Sequence, residues 1–301
     1  AWIENKNGNV IRQLKKQEYV DVNAVLDYSL YQDYFVRKFT LKHNVYPYRI
    51  GYTYKTVFRQ FLDIADWYPV IGTDVPTREA ILTLKSPEQY KVNVFEQHTG
   101  SPEASTVDGE TTLTWHAAYD GSVSAEAYCP PVDEFLPAVK IVPLHFTYGP
   151  EGSATDWRSF GDWLWDLNRG LDELPESEKQ RISGMIAQTN DKKERVKILY
   201  HYLQDNTRYI NVTLDIGGMK PYPAEYVALN RYGDCKALTN FMKSLLDYAG
   251  IESYYTTVQS GMQPGEILRE IPSQQFNHAV LTVPFGNDTL WLENTSNSNP
   301  F

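Results

Sequence analysis

The sequence predicts an α+β protein, with an N-terminal β-sandwich-like domain over residues 1–150 and a mixed core over residues 151–301. Three observations predict it. Up to about residue 150 the chain reads as short strands rich in aromatic and β-branched residues, with little helical periodicity. The run Tyr148-Gly149-Pro150-Glu151-Gly152-Ser153 is a cluster of turn residues. Beyond it, apolar residues recur at three- and four-residue intervals, and the last stretch returns to alternation. A length of 301 residues is long for one core and comfortable for two domains.

Taken in order, residues 35–42 and 46–57 are the first strand candidates. In the second, Tyr46, Tyr48, Ile50, Tyr52 and Tyr54 occupy every other position. Residues 79–84, 90–95 and 111–118 come next as strands, with the polar segment 99–109 as a hairpin-like loop. The 22 tyrosines of the chain fit large sheet surfaces, and the tyrosine stripe is either one face of a sheet or a ligand platform. After the turn cluster, Trp157, Phe160, Leu164 and Leu167 are helically spaced behind a Thr155-Asp156 start. Trp157, Trp163 and Trp165 are expected in the core, with one of them available to line a groove. Asp191-Lys192-Lys193-Glu194 resembles a capping box with Asp in place of Ser or Thr, leading into Val196, Leu199, Tyr202 and Leu203. His201 on that helix reads as a surface or packing residue.

The chemistry concentrates in Arg231-Tyr232-Gly233-Asp234-Cys235-Lys236 and in the helix and strands downstream of it. Leu238, Phe241, Met242, Leu245, Leu246 and Ala249 mark one buried helix face, and Gly250 sits where a left-handed C-cap belongs. Asp234 is the natural N-cap, so Cys235 falls in the first turn, where free N–H groups and the helix dipole favour thiolate. Lys236 adds a neighbouring cation, and Gly233 would leave the sulfur approachable. The alternative is a small buried hydrophobe.

Downstream, residues 278–283 alternate, residues 284–288 supply a turn, and residues 289–293 alternate again, which is a β-hairpin. A two-residue turn on Gly286-Asn287 sets Leu281 opposite Leu292 and Val283 opposite Leu290. Glu293 is then a same-face diagonal neighbour of His278, about 7–8 Å away at the backbone and within reach of a long side chain. Asn294 points the other way, and a one-residue slip would exchange the two. A thiol, an imidazole and a carboxylate thus occur in the order of a nucleophile, its base and the group that orients the base.

These residues resemble the transglutaminase-like superfamily of papain-type folds, and more closely its bacterial branch in which a β-rich domain of unknown function precedes the core. The resemblance spans about residues 157–296. It rests on Asp156-Trp157-Arg158, Arg208-Tyr209-Ile210, the segment from Gly217-Gly218 to Pro221-Tyr222-Pro223, Gly233-Asp234-Cys235-Lys236, Phe276-Asn277-His278 and Trp291-Leu292-Glu293-Asn294-Thr295. It implies a papain/transglutaminase-like core with a helix-borne Cys235 as nucleophile, His278 as base and an acid on the adjacent strand. The superfamily's third position is usually Asp followed by Pro, whereas here it is Glu293 followed by Asn294. Tyr209, Asp234 and Asn277 are candidates for oxyanion or substrate contacts beside the Cys235 N–H.

The resemblance implies a peptide, protein or glycopeptide substrate, a thioester resolved by water or by an amine, and an extracytoplasmic location with an export signal. A catalytically silent binding scaffold is the rival from another class. A redox sensor would want a closely spaced resolving cysteine, and none is visible. The net charge of −10 argues against nucleic acid and anionic membrane surfaces as partners. No apolar run approaches the roughly 18 residues of a membrane span. The chain opens on Ala1 without a signal-peptide pattern and stops at Pro300-Phe301, and it is expected to be a processed or trimmed piece. His43, His98, His116, His145, His201 and His278 are scattered, and no glycine-rich phosphate loop follows a strand, so neither a metal nor a nucleotide cofactor is expected. Cys129 and Cys235 are the two cysteines, and a disulfide between them is arithmetically possible.

Overall fold

Strand-forming sequence fills the first half of the chain. The computed structural model, which describes residues 1–23, 29–32, 35–124, 126, 128–213, 215–261 and 265–301, organises it as fourteen strands. These are β1 (Trp2–Asn5), β2 (Val10–Gln13), β3 (Tyr19–Asn23), β4 (Ser29–Gln32), β5 (Phe35–Phe39), β6 (Tyr48–Gly51) and β7 (Ala65–Trp67). They continue with β8 (Thr77–Pro87), β9 (Val92–Gln97), β10 (Glu103–Val107), β11 (Glu110–Tyr119), β12 (Ala138–Pro143), β13 (His145–Thr147) and β14 (Glu151–Ser153). Helices then enter, as α1 (Trp157–Asn168), α2 (Glu176–Ile186) and α3 (Lys192–Asn206). The short strands β15 (Arg208–Tyr209) and β16 (Asn211–Thr213) lead to α4 (Ala224–Asn230), β17 (Tyr232–Gly233) and α5 (Cys235–Tyr248). β18 (Tyr254–Val258), β19 (His278–Phe285) and β20 (Asp288–Leu292) close the chain.

Two three-stranded antiparallel sheets, β10-β11-β8 and β7-β12-β9, share a core of Trp115, Val139 and Ile141. Leu82, Leu84 and Leu113 pack on it from one sheet, and Ala65, Trp67, Val92 and Val94 from the other, so the two sheets are layered as in a sandwich. The buried indole of Trp115 finds its acceptor in Glu96, 2.6 Å away. β12 is buried at every residue, as a central strand covered on both faces is, and its one charged residue, Lys140, is ion-paired with Asp63.

A second cluster joins this half to the helices. Val142 and Phe146 of the strand region pack with Ala154 and with Phe160, Trp163 and Leu167 on the buried face of α1, and Ile271 joins them from a later loop. The same residues that end the β-rich half therefore seat α1. The third and largest cluster packs α3, α4 and α5 against β19 and β20. The N-terminal half also reaches the later half through its backbone, where β4 pairs in parallel with β16. Among the described residues no helix is long and apolar enough to cross a membrane.

Several expectations are corrected. Segment 99–109 is not only a loop: it contains β10, which pairs with β11 through an Asp108-Gly109 turn whose two residues have φ of 52° and 79°. All five β10 residues are exposed, so alternation had nothing to report. Of segment 46–57 only Tyr48–Gly51 forms a strand, because its partner β1 offers just four residues. Tyr52 and Tyr54 lie past the pairing and are largely exposed. Trp165 is on the solvent side of α1, two residues round from the buried Trp163, while Trp157 is half-buried.

Gly152 is where β14 meets α1. A Cβ there would lie 2.5 Å from Phe146 Cε2 and 2.6 Å from Trp163 Cδ1, both ring atoms of buried side chains. Gly152→Ala is expected to destabilise the chain by about 1–3 kcal/mol. The check is a urea unfolding curve, where the midpoint should fall at unchanged slope. An unmoved midpoint would show that the junction tolerates the methyl.

Candidate active site

The helix that carries Cys235 starts as its sequence dictates. Asp234 is the N-cap, accepting from the Ala237 N–H at 2.9 Å, and Cys235 is the first helical residue. Gly250 closes the helix at φ 69°. The face of Leu238, Phe241, Met242, Leu245 and Leu246 is fully buried against β19 and β20. The approach is fixed by a buried carboxylate. Glu178 on α2 accepts from Arg231 at 3.0 Å and from the Tyr202 hydroxyl. Arg231, at φ 60°, turns the chain out of α4 into β17, which pairs in parallel with β15.

Two details of the cysteine's setting differ from expectation. Gly233 is needed for packing rather than for access to the sulfur: a Cβ would meet Ala237 Cβ at 2.8 Å and lie in contact with Val227 and Leu238. Lys236 is not a free cation, because its ammonium is held 2.6 Å from Asp234 Oδ2. Cys129 and Cys235 are both free thiols, so the disulfide does not form.

The hairpin register is as predicted. Leu281 pairs with Leu292 and Val283 with Leu290 about a Gly286-Asn287 turn, with Gly286 at φ 58°. β18, which the sequence pattern does not single out, pairs on the other side of β19 and places Val258 opposite His278. Glu293 reaches diagonally to His278, with Oε2 2.7 Å from Nε2. Its other oxygen, Oε1, accepts from the Thr295 N–H at 2.9 Å and the Thr295 hydroxyl at 2.6 Å. Tyr200 on α3 donates to the Glu293 carbonyl at 2.8 Å. Asn294 points the opposite way, buried, and donates to Thr239 Oγ1 on α5 at 3.0 Å.

His278 is held by Glu293 and lines the same cleft as Cys235. Interaction with the Cys235 side chain, seconded by Glu293, raises its pKa to about 10. With Nε2 committed to Glu293, the nitrogen left for Cys235 is Nδ1. Partial burial pushes Glu293 upward, but the hydrogen bonds from His278 and Thr295 outweigh it and hold the carboxyl at about 2. Both directions favour the charged pair. The histidine's contribution to stability is complete below the ordinary imidazole value of 6.5 and is lost as pH rises through about 10. The glutamate's is complete above 4.5 and is lost as pH falls through about 2. The pair is thus fully stabilising between about 4.5 and 6.5.

Cys235 and His278 open onto a cleft of about 90 Å³, whose walls include Met219, Tyr255, Gln274, Phe276 and Asn277. Of the three further candidates, Asp234 is the helix cap, with both oxygens engaged by Ala237 and Lys236. Asn277 lines the cleft, but its amide is clamped to the Ser260 backbone, accepting at 2.7 Å and donating at 2.8 Å. Tyr209 lies on β15 beside Gly233, outside the cleft. The residue that sequence reasoning misses is Tyr255. It lines the cleft from β18, and burial, together with the charges of Cys235 and Asp234, drives its pKa well up. Its strand, Tyr254–Val258, is a β-branched and aromatic run that could have been read beside the hairpin.

Residues 1–118 match the family model of a Domain of Unknown Function with solved-structure structure, DUF3857. No curated protein matches the chain. Among solved structures, the chain is similar to a "putative protease" from Parabacteroides distasonis, at 14% identity and a TM-score of 0.63, over 97% of this chain and 55% of that one. A "putative cysteine protease" from Cytophaga hutchinsonii gives 12% identity and a TM-score of 0.32 over 73% and 66% of the two chains. The periplasmic domain of TgpA from Pseudomonas aeruginosa gives 12% and 0.30 over 77% and 75%. The first likeness shows a common fold along nearly all of this chain, which spans about half the length of that structure.

Glu293→Gln should lower the His278 pKa, read as the imidazole shift in an NMR titration, because the charge partner is removed while the side chain keeps its shape. Asn294→Ala should leave that pKa in place and instead cost about 1–3 kcal/mol of stability, as its buried partner Thr239 loses a donor. The reverse pattern would mean that the strand register is wrong.

Proposed function

We propose that the chain is a thiol-dependent amide hydrolase with a Cys235–His278–Glu293 triad, built on a transglutaminase-like core over residues 151–301 that follows a β-rich domain over residues 1–150. The supporting observation is the contact order: helix-start cysteine, imidazole, and a carboxylate 2.7 Å from the far ring nitrogen. An extracytoplasmic location belongs to the same proposal, on the resemblance.

The Cys235 thiolate attacks the carbonyl carbon of an amide, forming the C–S bond while the carbonyl electron pair moves to oxygen. The Cys235 N–H, in the first helical turn with no intrahelical acceptor, faces that oxyanion. Tyr255, which lines the same cleft, is assigned as the second donor. Collapse breaks the C–N bond, and the leaving amine takes the proton that His278 carries at neutral pH. Neutral His278 next accepts a proton from water as it attacks the thioester. The acid departs and the thiolate–imidazolium pair is restored. Glu293 holds the ring in position throughout and offsets its charge.

Iodoacetamide alkylation of Cys235, followed from acid to mildly alkaline pH, tests the pair. Labelling should persist well below the free-thiol pKa of roughly 8.5 and shift upward in His278→Ala. Cys235→Ala should abolish peptide turnover with the fold intact, and an alkylation profile indifferent to His278 would exclude the pair. Tyr255→Phe should lower kcat on the order of a hundredfold at near-constant KM, as the loss of an oxyanion donor does. An unchanged kcat would remove Tyr255 from the oxyanion site.

A further inference from the structure

A trough of about 710 Å³ runs along the seam between the β-rich half and the loop that delivers His278. The β-rich half contributes Asp66, Tyr68, Asp133, Glu134 and Lys140, and the facing wall comes from the stretches 265–270 and 274–277. Gln274, Phe276 and Asn277 line both this trough and the small cleft of Cys235 and His278. A ligand lying in the trough is therefore led past those three residues to the sulfur. The volume falls in the range of cavities that enclose a ligand, roughly 300–1,000 Å³.

The lining carries more acids than bases. Asp66, Asp133, Glu134, Glu266 and Glu270 line the trough against Lys140 and Arg269. Lys140 is not available to an incoming group, since its ammonium is buried 3.0 Å from Asp63 Oδ1 and 3.9 Å from Asp66 Oδ2. Burial, and after it the nearby charges of Asp66 and Asp133, raise the Tyr68 pKa, so carboxylates from two separate segments lie on one side of the trough. In a concavity between low-dielectric walls such a set concentrates cations, because field lines are focused there. Phe95, Ile267, Leu268 and Phe276 add apolar surface for the stem of a long side chain.

We propose that the trough is the substrate groove of the Cys235 centre, and that it takes an extended peptide bearing Lys or Arg side chains beside the bond to be cleaved. The β-rich half then forms one wall of that groove. The catalytic meaning rests on the hydrolase reading above, whereas binding of the peptide does not.

The test uses the full chain with Cys235→Ala and two short fluorescent peptides of one sequence, differing only in Lys against Glu. By anisotropy at low salt, the lysine peptide should bind on the order of tenfold more tightly, and added salt should narrow the gap. Glu134→Gln with Glu270→Gln, two exposed carboxylates on opposite walls, should weaken lysine-peptide binding by about three- to tenfold. On the wild-type chain, saturating lysine peptide should slow alkylation of Cys235 severalfold. Equal affinity for the two peptides, indifference to the double substitution, or binding without protection of Cys235 would each overturn the groove. Failure of the hydrolase reading shows elsewhere, as an alkylation profile that His278→Ala does not move.

Discussion

Three side chains can act together only if a helix and two strands are held in one register, and a buried chain of hydrogen bonds sets that register. Asn294 donates to Thr239 Oγ1, and Thr239 donates to the Ala279 carbonyl at 3.1 Å. Each member neighbours one of the three side chains Cys235, His278 and Glu293: Asn294 follows Glu293, Ala279 follows His278, and Thr239 lies one helical turn beyond Cys235. Packing supplies the adhesion, at roughly 1.5–3 kcal/mol for each large side chain buried on α5. The two hydrogen bonds add only about 1 kcal/mol each. Apolar contact, however, is tolerant of sliding, and a misplaced buried amide is not. The polar chain therefore fixes the register of a seam that the leucines stabilise.

The β-rich half bears on the same site through α1. The buried aromatic face of that helix is shared with β12 and β13, and its first residue, Trp157, donates from its indole to the Arg269 carbonyl at 2.6 Å and packs at a tilt against the Phe276 ring. Within the loop, Gln275 donates to the carbonyls of Leu268 and Ile271 and accepts from the Leu268 N–H. The loop leading to His278 is thus pinned from within and from α1, and α1 is pinned by the strands. Packed rings and side-chain-to-backbone hydrogen bonds thus run without a break from the strands through α1 to the loop that ends at His278.

How much of this is legible in the sequence depends on what each signal measures. The Cys235 helix and the hairpin are legible because each buries one face, and burial is what periodicity reports. The preference for Glu293 over Asn294 comes from the same parity. β10 escapes because a fully exposed edge strand of Glu, Ala, Ser, Thr and Val buries no face for alternation to mark. β12 escapes for the opposite reason, being buried on both. Tyr52 and Tyr54 alternate without a partner strand, so the pattern is present and the sheet is not. The role of Gly233 depends on the approach of Ala237 and Val227, a tertiary distance that no local pattern carries. Tyr255 belongs to the site only because β18 pairs with β19 and not elsewhere.

The pairing of β19 with β20 sets how Glu293 reaches His278. β20 ends with Leu292 opposite Leu281, so Glu293 follows the last pair while His278 lies at the start of β19. Glu293 reaches back across this end of the hairpin to set Oε2 2.7 Å from Nε2, and a side chain of that length would by itself let the carboxylate wander. Thr295 removes that freedom by holding Oε1 with both its N–H and its hydroxyl, while Tyr200 fixes the backbone carbonyl of the same residue. Reach is supplied by the glutamate side chain and rigidity by its neighbours, and together they fix the orientation of His278.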